Sequence, residues 1–132
     1  MPTFILIPFV LIFILVLYIR FAPQDIEKMH QTLDISADEF LMGGVKKRTD
    51  VDIDALHAVI MTEPRTKLVA GNPSEGRATY VTRSLLWGFP DYTTVQKDGD
   101  GVQIYGRLVF GRSDFGVNAA RVNRWIDALA AN

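Results

Sequence analysis

Residues 92–110 read YTTVQKDGDGVQIYGRLVF, and this stretch carries the clearest fold signal in the chain. Two runs rich in β-branched and aromatic residues, 92–96 and 102–110, flank a turn with two Asp-Gly pairs, 97–101. Asp-Gly between such runs is typical of a β-hairpin, because glycine readily adopts the positive φ that a tight turn requires. The sequence therefore predicts two antiparallel strands joined by this turn.

Patterns before and after the hairpin predict the remaining elements of an α+β domain. Residues 66–70 and 78–84 have the composition of strands and are separated by a turn with glycine and proline, 71–76. Apolar residues at helical spacing predict one helix that begins near Asp50 and a last helix over residues 117–130. An antiparallel sheet with both helices on one face buries these apolar surfaces most economically.

The N-terminal residues have a different character. Residues 3–19 read TFILIPFVLIFILVLYI and contain no charged side chain. With a rise of about 1.5 Å per residue, a helix of this length reaches the lower limit for crossing a bilayer core. A cleaved signal peptide fits less well, since no Lys or Arg precedes the run and no small-residue cleavage site follows it. The sequence therefore predicts a transmembrane helix whose membrane-contacting side chains include Phe4, Ile7, Leu11, Ile14, Leu17 and Tyr18.

These signals divide the chain into three predicted segments. Residues 1–21 form the transmembrane anchor, residues 22–49 a linker, and residues 50–132 the α+β domain. The predicted linker lacks strong periodicity and is interrupted by Pro23 and by two consecutive glycines. The expected fold is therefore an N-terminal transmembrane helix followed by a small antiparallel sheet with two flanking helices.

The composition excludes several classes of function. The net charge is −1, which gives no electrostatic reason to expect a nucleic acid as partner. The chain has no cysteine, and its two histidines, His30 and His57, lack the spacing of metal ligands. No Gly-x-Ser-x-Gly sequence is present. We therefore expect no catalytic residue, no metal, no cofactor and no enzyme activity, and we expect His57 to face solvent.

Two short motifs in the C-terminal half resemble a known family. They are Phe89-Pro90-Asp91 and the sequence GRSDFGVN at residues 111–118, followed by Arg121 and Trp125. On these motifs, residues 77–129 resemble the domain-of-unknown-function family 1499, which occurs in bacteria and has plastid relatives. The resemblance implies no activity.

The resemblance also bears on localisation. Family members look like tethered or exported domains, which implies a bacterial inner-membrane protein with one membrane pass and a periplasmic C-terminal domain. The charges favour the opposite orientation, because Arg20 and Lys28 follow the anchor and basic residues concentrate on the cytoplasmic side.

The chain departs from the family in two places. Relatives tend to have a strand rich in Arg and Ser before the first glycine of the GRSDFGVN motif, where this chain has the more apolar YGRLVF at residues 105–110. Relatives often have a Trp-His pair near the membrane, where this chain has Met29-His30. If those polar residues form the family's site, this chain has lost or changed it.

The motif at residues 111–118 is the first candidate site. Backbone N–H groups at the start of a helix can bind an anion, here with two arginines nearby. The structural alternative is that Ser113 or Asp114 caps the helix and Arg121 pairs with a carboxylate. Asp114 would also repel an anion. The candidate ligand-binding residues at this corner between strand and helix are Arg112, Ser113, Asp114, Asn118 and Arg121.

Trp87 and Phe89 form the second candidate. Beside the predicted turn at residues 88–91, they either expose an aromatic patch to a protein or membrane surface, or close the edge of the core. The anchor and the absence of site chemistry favour a non-enzymatic accessory protein that docks its domain on a larger membrane protein assembly. The alternative is a binding module for a small anionic or lipid ligand at the strand–helix corner. Membrane lipid is the expected partner of the N-terminal helix.

Overall fold

The computed structural model describes residues 2–131. A short 3₁₀ turn, Pro73–Glu75, lies between the third and fourth of the six strands. The elements in chain order are α1 (Thr3–Phe21), α2 (Ile26–Met29), β1 (Glu39–Leu41), β2 (Gly44–Thr49), α3 (Ile53–Ile60), β3 (Thr66–Asn72), β4 (Arg77–Arg83), β5 (Pro90–Asp98), β6 (Gly101–Leu108) and α4 (Val117–Ala130).

The six strands form one antiparallel sheet with the order β1-β2-β6-β5-β4-β3. The predicted hairpin is confirmed: β5 pairs with β6, and Asp98 lies opposite Gly101 at its closed end. Gly99 adopts a φ of +61° in this turn, a conformation that glycine reaches without steric cost. The predicted α+β class, with an apolar helix before the sheet, is therefore confirmed.

Helices α3 and α4 pack on one face of the sheet and enclose the hydrophobic core. Asp52 begins α3 by accepting a hydrogen bond from the backbone N–H of Ala55 at 2.9 Å. The chain reverses through the hairpins so that alternate residues of β4, β5 and β6 face these helices. The buried core side chains include Leu56, Ile60, Tyr80, Val95, Ile104, Val122 and Trp125.

The sheet extends into the segment that we interpreted as a linker. Residues 22–49 include β1 and β2, and β2 pairs with β6 along its whole length. Side chains of β2 alternate between the two sheet faces, with Val45 in the core and Lys46 on the opposite side. Because residues 46–48 are all basic, this alternation does not appear as a change between apolar and polar residues. The domain therefore begins well before the boundary near Asp50.

Residues 30–38 pack across the sheet face opposite the helices. The backbone N–H of Leu33 donates to Gln96 Oε1 at 2.8 Å, and that of Ile35 donates to Gln103 Oε1 at 2.7 Å. The Arg48 guanidinium closes this layer by donating to the Ile35 carbonyl at 2.9 Å. These partners lie far along the chain, so the packing could not be inferred from local composition.

Helix α1 is long and apolar enough to cross a membrane. Signal sequences share this length and composition. The six predicted membrane-contacting side chains are all exposed: Phe4, Ile7, Leu11, Ile14, Leu17 and Tyr18. The C-terminal end of α1 meets the domain, where the ring of Tyr18 lies 6.3 Å from that of Phe110. Arg83 Nη1 also donates to the Ile19 carbonyl at 3.4 Å.

Candidate functional site

The strand–helix corner is a buried network of hydrogen bonds. Asp114 accepts from the backbone N–H groups of Gly116 and Asn118 at 3.0 and 2.9 Å, and from the Asn118 side chain at 2.9 Å. Burial acts to raise the pKa of Asp114, but the hydrogen bonds from Asn118 and Gly116 outweigh it and lower that pKa. Ser113 accepts from the Phe115 N–H at 3.2 Å. Gly116, not Ser113 or Asp114, holds the N-cap position of α4. Asp114 lies two residues before it and accepts from the Asn118 N–H in the first turn, so it stabilises the start of the helix from outside the predicted position.

Arg121 is the cation of this network, and carboxylates already neutralise it. Its Nη1 lies 3.3 Å from Asp91 Oδ2 and 3.0 Å from Asn118 Oδ1, and its Nε lies 3.8 Å from Glu63 Oε1. Burial raises the pKa of Asp91, and the charge of Arg121 opposes that rise. Arg112 is exposed, whereas Arg121 is buried and already engaged by Asp91, Glu63 and Asn118. Arg121 is therefore not free to hold an anion together with Arg112.

A basic cleft lies on the other face of the sheet and was not among the predicted sites. It has a volume of about 610 Å³ and lies between the segment after α1 and strands β3, β4 and β5. Hydrophobic residues including Val81 and Tyr92 line it, and burial raises the pKa of Tyr92. Four cationic side chains surround it: Arg20, Arg65, Lys67 and Arg83.

The pairing of β3 with β4 brings three of these cations together. Lys67 lies opposite Val81, so its side chain shares the sheet face of Val81 and Arg83. Arg65 adopts a φ of +58°, which turns the chain into β3, and its Nε donates to the Arg83 carbonyl at 3.0 Å. Arg83 Nη1 donates to the Gly88 carbonyl at 2.8 Å and so ties the cleft to the β4–β5 loop.

The cations of the cleft lack carboxylate partners. Within residues 2–131, none of the four takes part in an ion pair, and no Asp or Glu lines the cleft. The alternation of β3 and β4 could have placed Lys67 and Arg83 on one face. The sequence could not predict that Arg20 lines the same cleft, because its position depends on how the end of α1 packs against the sheet.

A family model described as a protein of unknown function (DUF1499) matches residues 22–129. The chain belongs to this family. The match begins within the predicted linker, in agreement with the position of β1 and β2 in the sheet. Comparison with curated proteins finds no match.

The segment at Met29-His30 and the segment at residues 105–110 meet in space. Arg107 donates from Nη2 to the Met29 carbonyl and from Nη1 to Thr94 Oγ1, the latter at 3.0 Å. His30 Nδ1 lies 2.7 Å from Thr79 Oγ1, which lies 2.8 Å from Thr94 Oγ1. Burial and then the charge of Arg77 lower the pKa of His30, which favours its neutral form. Both threonines are fully buried, so neither hydroxyl is in contact with solvent.

We predicted that His57 faces solvent, and the structure places it in a different environment. It is half-buried, and its Nδ1 lies 2.6 Å from the hydroxyl of Tyr80, whose pKa burial raises. Tyr80 lies on β4 and reaches across the core to α3, which the spacing of α3 alone could not show. Within residues 2–131, no group of three or more potential protein ligands is arranged to hold a metal ion.

Proposed function

We propose that this protein is a membrane-anchored binding module that holds the phosphate of an anionic lipid in the basic cleft. The observation that carries the proposal is the separation of charge. The cleft collects four of the fourteen Lys and Arg side chains and none of the fifteen Asp and Glu side chains of a chain whose net charge is −1. Guanidinium groups recognise phosphate through parallel charge-assisted hydrogen bonds, so this arrangement suits that ligand.

The position of the cleft supports a lipid as the ligand. Arg20 belongs to the last turn of α1 and also lines the cleft. If α1 crosses a bilayer, its last turn lies at the level of the phospholipid headgroups. Ile26, Val69 and Val81 give the cleft an apolar part as well, which suits an amphiphile better than a fully hydrated ion.

The sequence suggested, as an alternative function, a binding module for a small anionic or lipid ligand at the strand–helix corner. The present proposal keeps that function but places the ligand in the basic cleft. It describes binding without catalysis. Docking of the domain on a larger membrane protein assembly stays a prediction, with the exposed Trp87 and Phe89 as its candidate surface.

We place α1 in a bacterial inner membrane with the domain in the periplasm, as family resemblance favours. The basic residues after α1 count against this orientation. A C-terminal fusion to a phosphatase that is active only in the periplasm tests the placement. We expect an active fusion in intact cells, and activity of a matched cytoplasmic reporter instead would reverse the orientation.

We expect the double substitution Arg65→Gln/Lys67→Gln to weaken binding of phosphatidylglycerol about tenfold or more, because two charge-assisted contacts with the phosphate are lost. The matched control is Lys97→Gln/Arg112→Gln, which removes the same charge from exposed side chains outside the cleft. Binding is measured by native mass spectrometry of the full-length protein titrated with phosphatidylglycerol or phosphatidylcholine in mild detergent.

Three outcomes of this titration would change the conclusion. Equal binding by the two double variants would overturn the cleft as the site. A loss confined to the control would return the site to the strand–helix corner around Arg112. Full competition by inorganic phosphate or glycerol phosphate would identify the ligand as a soluble phosphate compound instead of a lipid.

A further inference from the structure

Three connections meet at one end of the sheet, beside the end of α1. Strand register places them there: Gly44 lies opposite Arg107, and Asp91 lies opposite Leu108. The β1–β2 turn, the β4–β5 loop and the β6–α4 loop therefore share this end. The Asp114 N–H donates to the Met42 carbonyl at 3.1 Å, which joins the first of these connections to the third.

These connections expose large hydrophobic side chains. Leu85 and Leu86 are each about three-quarters exposed, and Phe115 is 93% exposed. The opposite end of the sheet carries the charged β5–β6 turn. Exposed apolar side chains gathered at one end of a domain mark an interaction surface. We call these residues the apolar rim: Met42, Leu85, Leu86, Trp87, Phe89 and Phe115.

The apolar rim is continuous with the end of α1. The ring of Phe110 lies 6.3 Å from Tyr18 of α1 and 6.2 Å from Phe89 of the rim. The side chain of Arg20 packs against Gly88, within the β4–β5 loop. The loops that carry the rim therefore lie at the level where α1 leaves a bilayer.

We infer that the apolar rim is a membrane-docking surface that inserts into the leaflet from which α1 emerges. The occupant is the acyl-chain and headgroup boundary of that bilayer, where Trp and Phe side chains partition favourably. Docking holds the domain in a fixed orientation against the membrane. This inference rests on the rim and is independent of the cleft.

Tryptophan fluorescence tests the inference, because the chain has two tryptophans in opposite environments. Trp87 belongs to the rim and is 39% exposed, whereas Trp125 is buried in the core. The full-length protein is placed in phosphatidylcholine nanodiscs, with or without lipids brominated near the headgroup end of the acyl chains. The variant Trp125→Phe reports Trp87 alone, and the matched variant Trp87→Phe reports Trp125 alone.

We expect brominated lipid to remove most of the emission of Trp87 and to leave that of Trp125 unchanged. Subtracting the Trp87→Phe signal from that of the native protein gives the same comparison if Trp125→Phe does not fold. The inference is overturned if brominated lipid leaves Trp87 emission intact and aqueous iodide quenches it. Protection of Trp87 from both quenchers would overturn it too, because it would show that the protein itself covers this side chain. Since these discs contain no anionic lipid, the result does not depend on ligand binding in the cleft.

Discussion

Replacing Arg121 with alanine is expected to lower the free energy of unfolding by about 3–5 kcal/mol, the usual cost of removing one partner from a buried ion pair. The Arg121 side chain is only 10% exposed and lies between Asp91 and Glu63, which are also mostly buried. Without it, two carboxylates remain close to each other with little water to solvate them. Asn118 also loses the hydrogen bond that orients its side-chain carbonyl.

Arg124 provides a matched control for this prediction. It pairs with the same carboxylate, Glu63, but its side chain is 60% exposed. Exposed ion pairs contribute at most about 1 kcal/mol, so Arg124→Ala should have a small effect. Both variants are measured by chemical denaturation of the full-length protein in detergent, followed by near-ultraviolet circular dichroism. Equal losses from the two variants would contradict a structural role for the corner network.

Replacing Leu56 with alanine is expected to lower the free energy of unfolding by about 2–5 kcal/mol, through lost transfer free energy and the cavity left behind. Leu56 is completely buried, and it belongs to the core formed by α3, α4 and the sheet. Because α3 has only eight residues, its stability depends on this packing more than on its own hydrogen bonds. Loss of Leu56 should therefore weaken the whole domain.

The control for Leu56 is the same substitution at Leu85. Leu85 is 75% exposed in the β4–β5 loop, so Leu85→Ala should change the free energy of unfolding by no more than about 0.5 kcal/mol. The same denaturation measurement compares both variants. A large loss from Leu85→Ala would show that the loop packs into the domain, and it would also weaken the case for a membrane-facing rim.

The two candidate sites differ in how far the sequence could predict them, because one is formed by neighbouring residues and the other by residues far apart in the chain. The corner motif at residues 111–118 was visible in the sequence, and its structural interpretation agrees in part. Asp114 accepts from the Asn118 N–H in the first turn of α4, but Gly116 holds the N-cap position. The basic cleft was not visible. Its cations come from α1, from the turn before β3 and from two strands, and only the assembled sheet brings them to one place.

Local chemistry let the sequence determine α1, the β5–β6 hairpin and α4. A run of uncharged apolar residues, an Asp-Gly turn between strand-like runs and helical apolar spacing each act within a few neighbouring residues. The structure places these elements where the patterns predicted them, with α4 over residues 117–130.

Tertiary structure alone decided the place of β2, the environment of His57 and the composition of the cleft. The charged run at residues 46–48 is not typical of a strand, and β2 forms there because it pairs with β6. His57 finds its partner Tyr80 on another element. The charge of the cleft depends on which side chains lie close together in space. Strand alternation bears on Lys67 and Arg83 alone, and only folding brings Arg20 to them from a distant part of the chain.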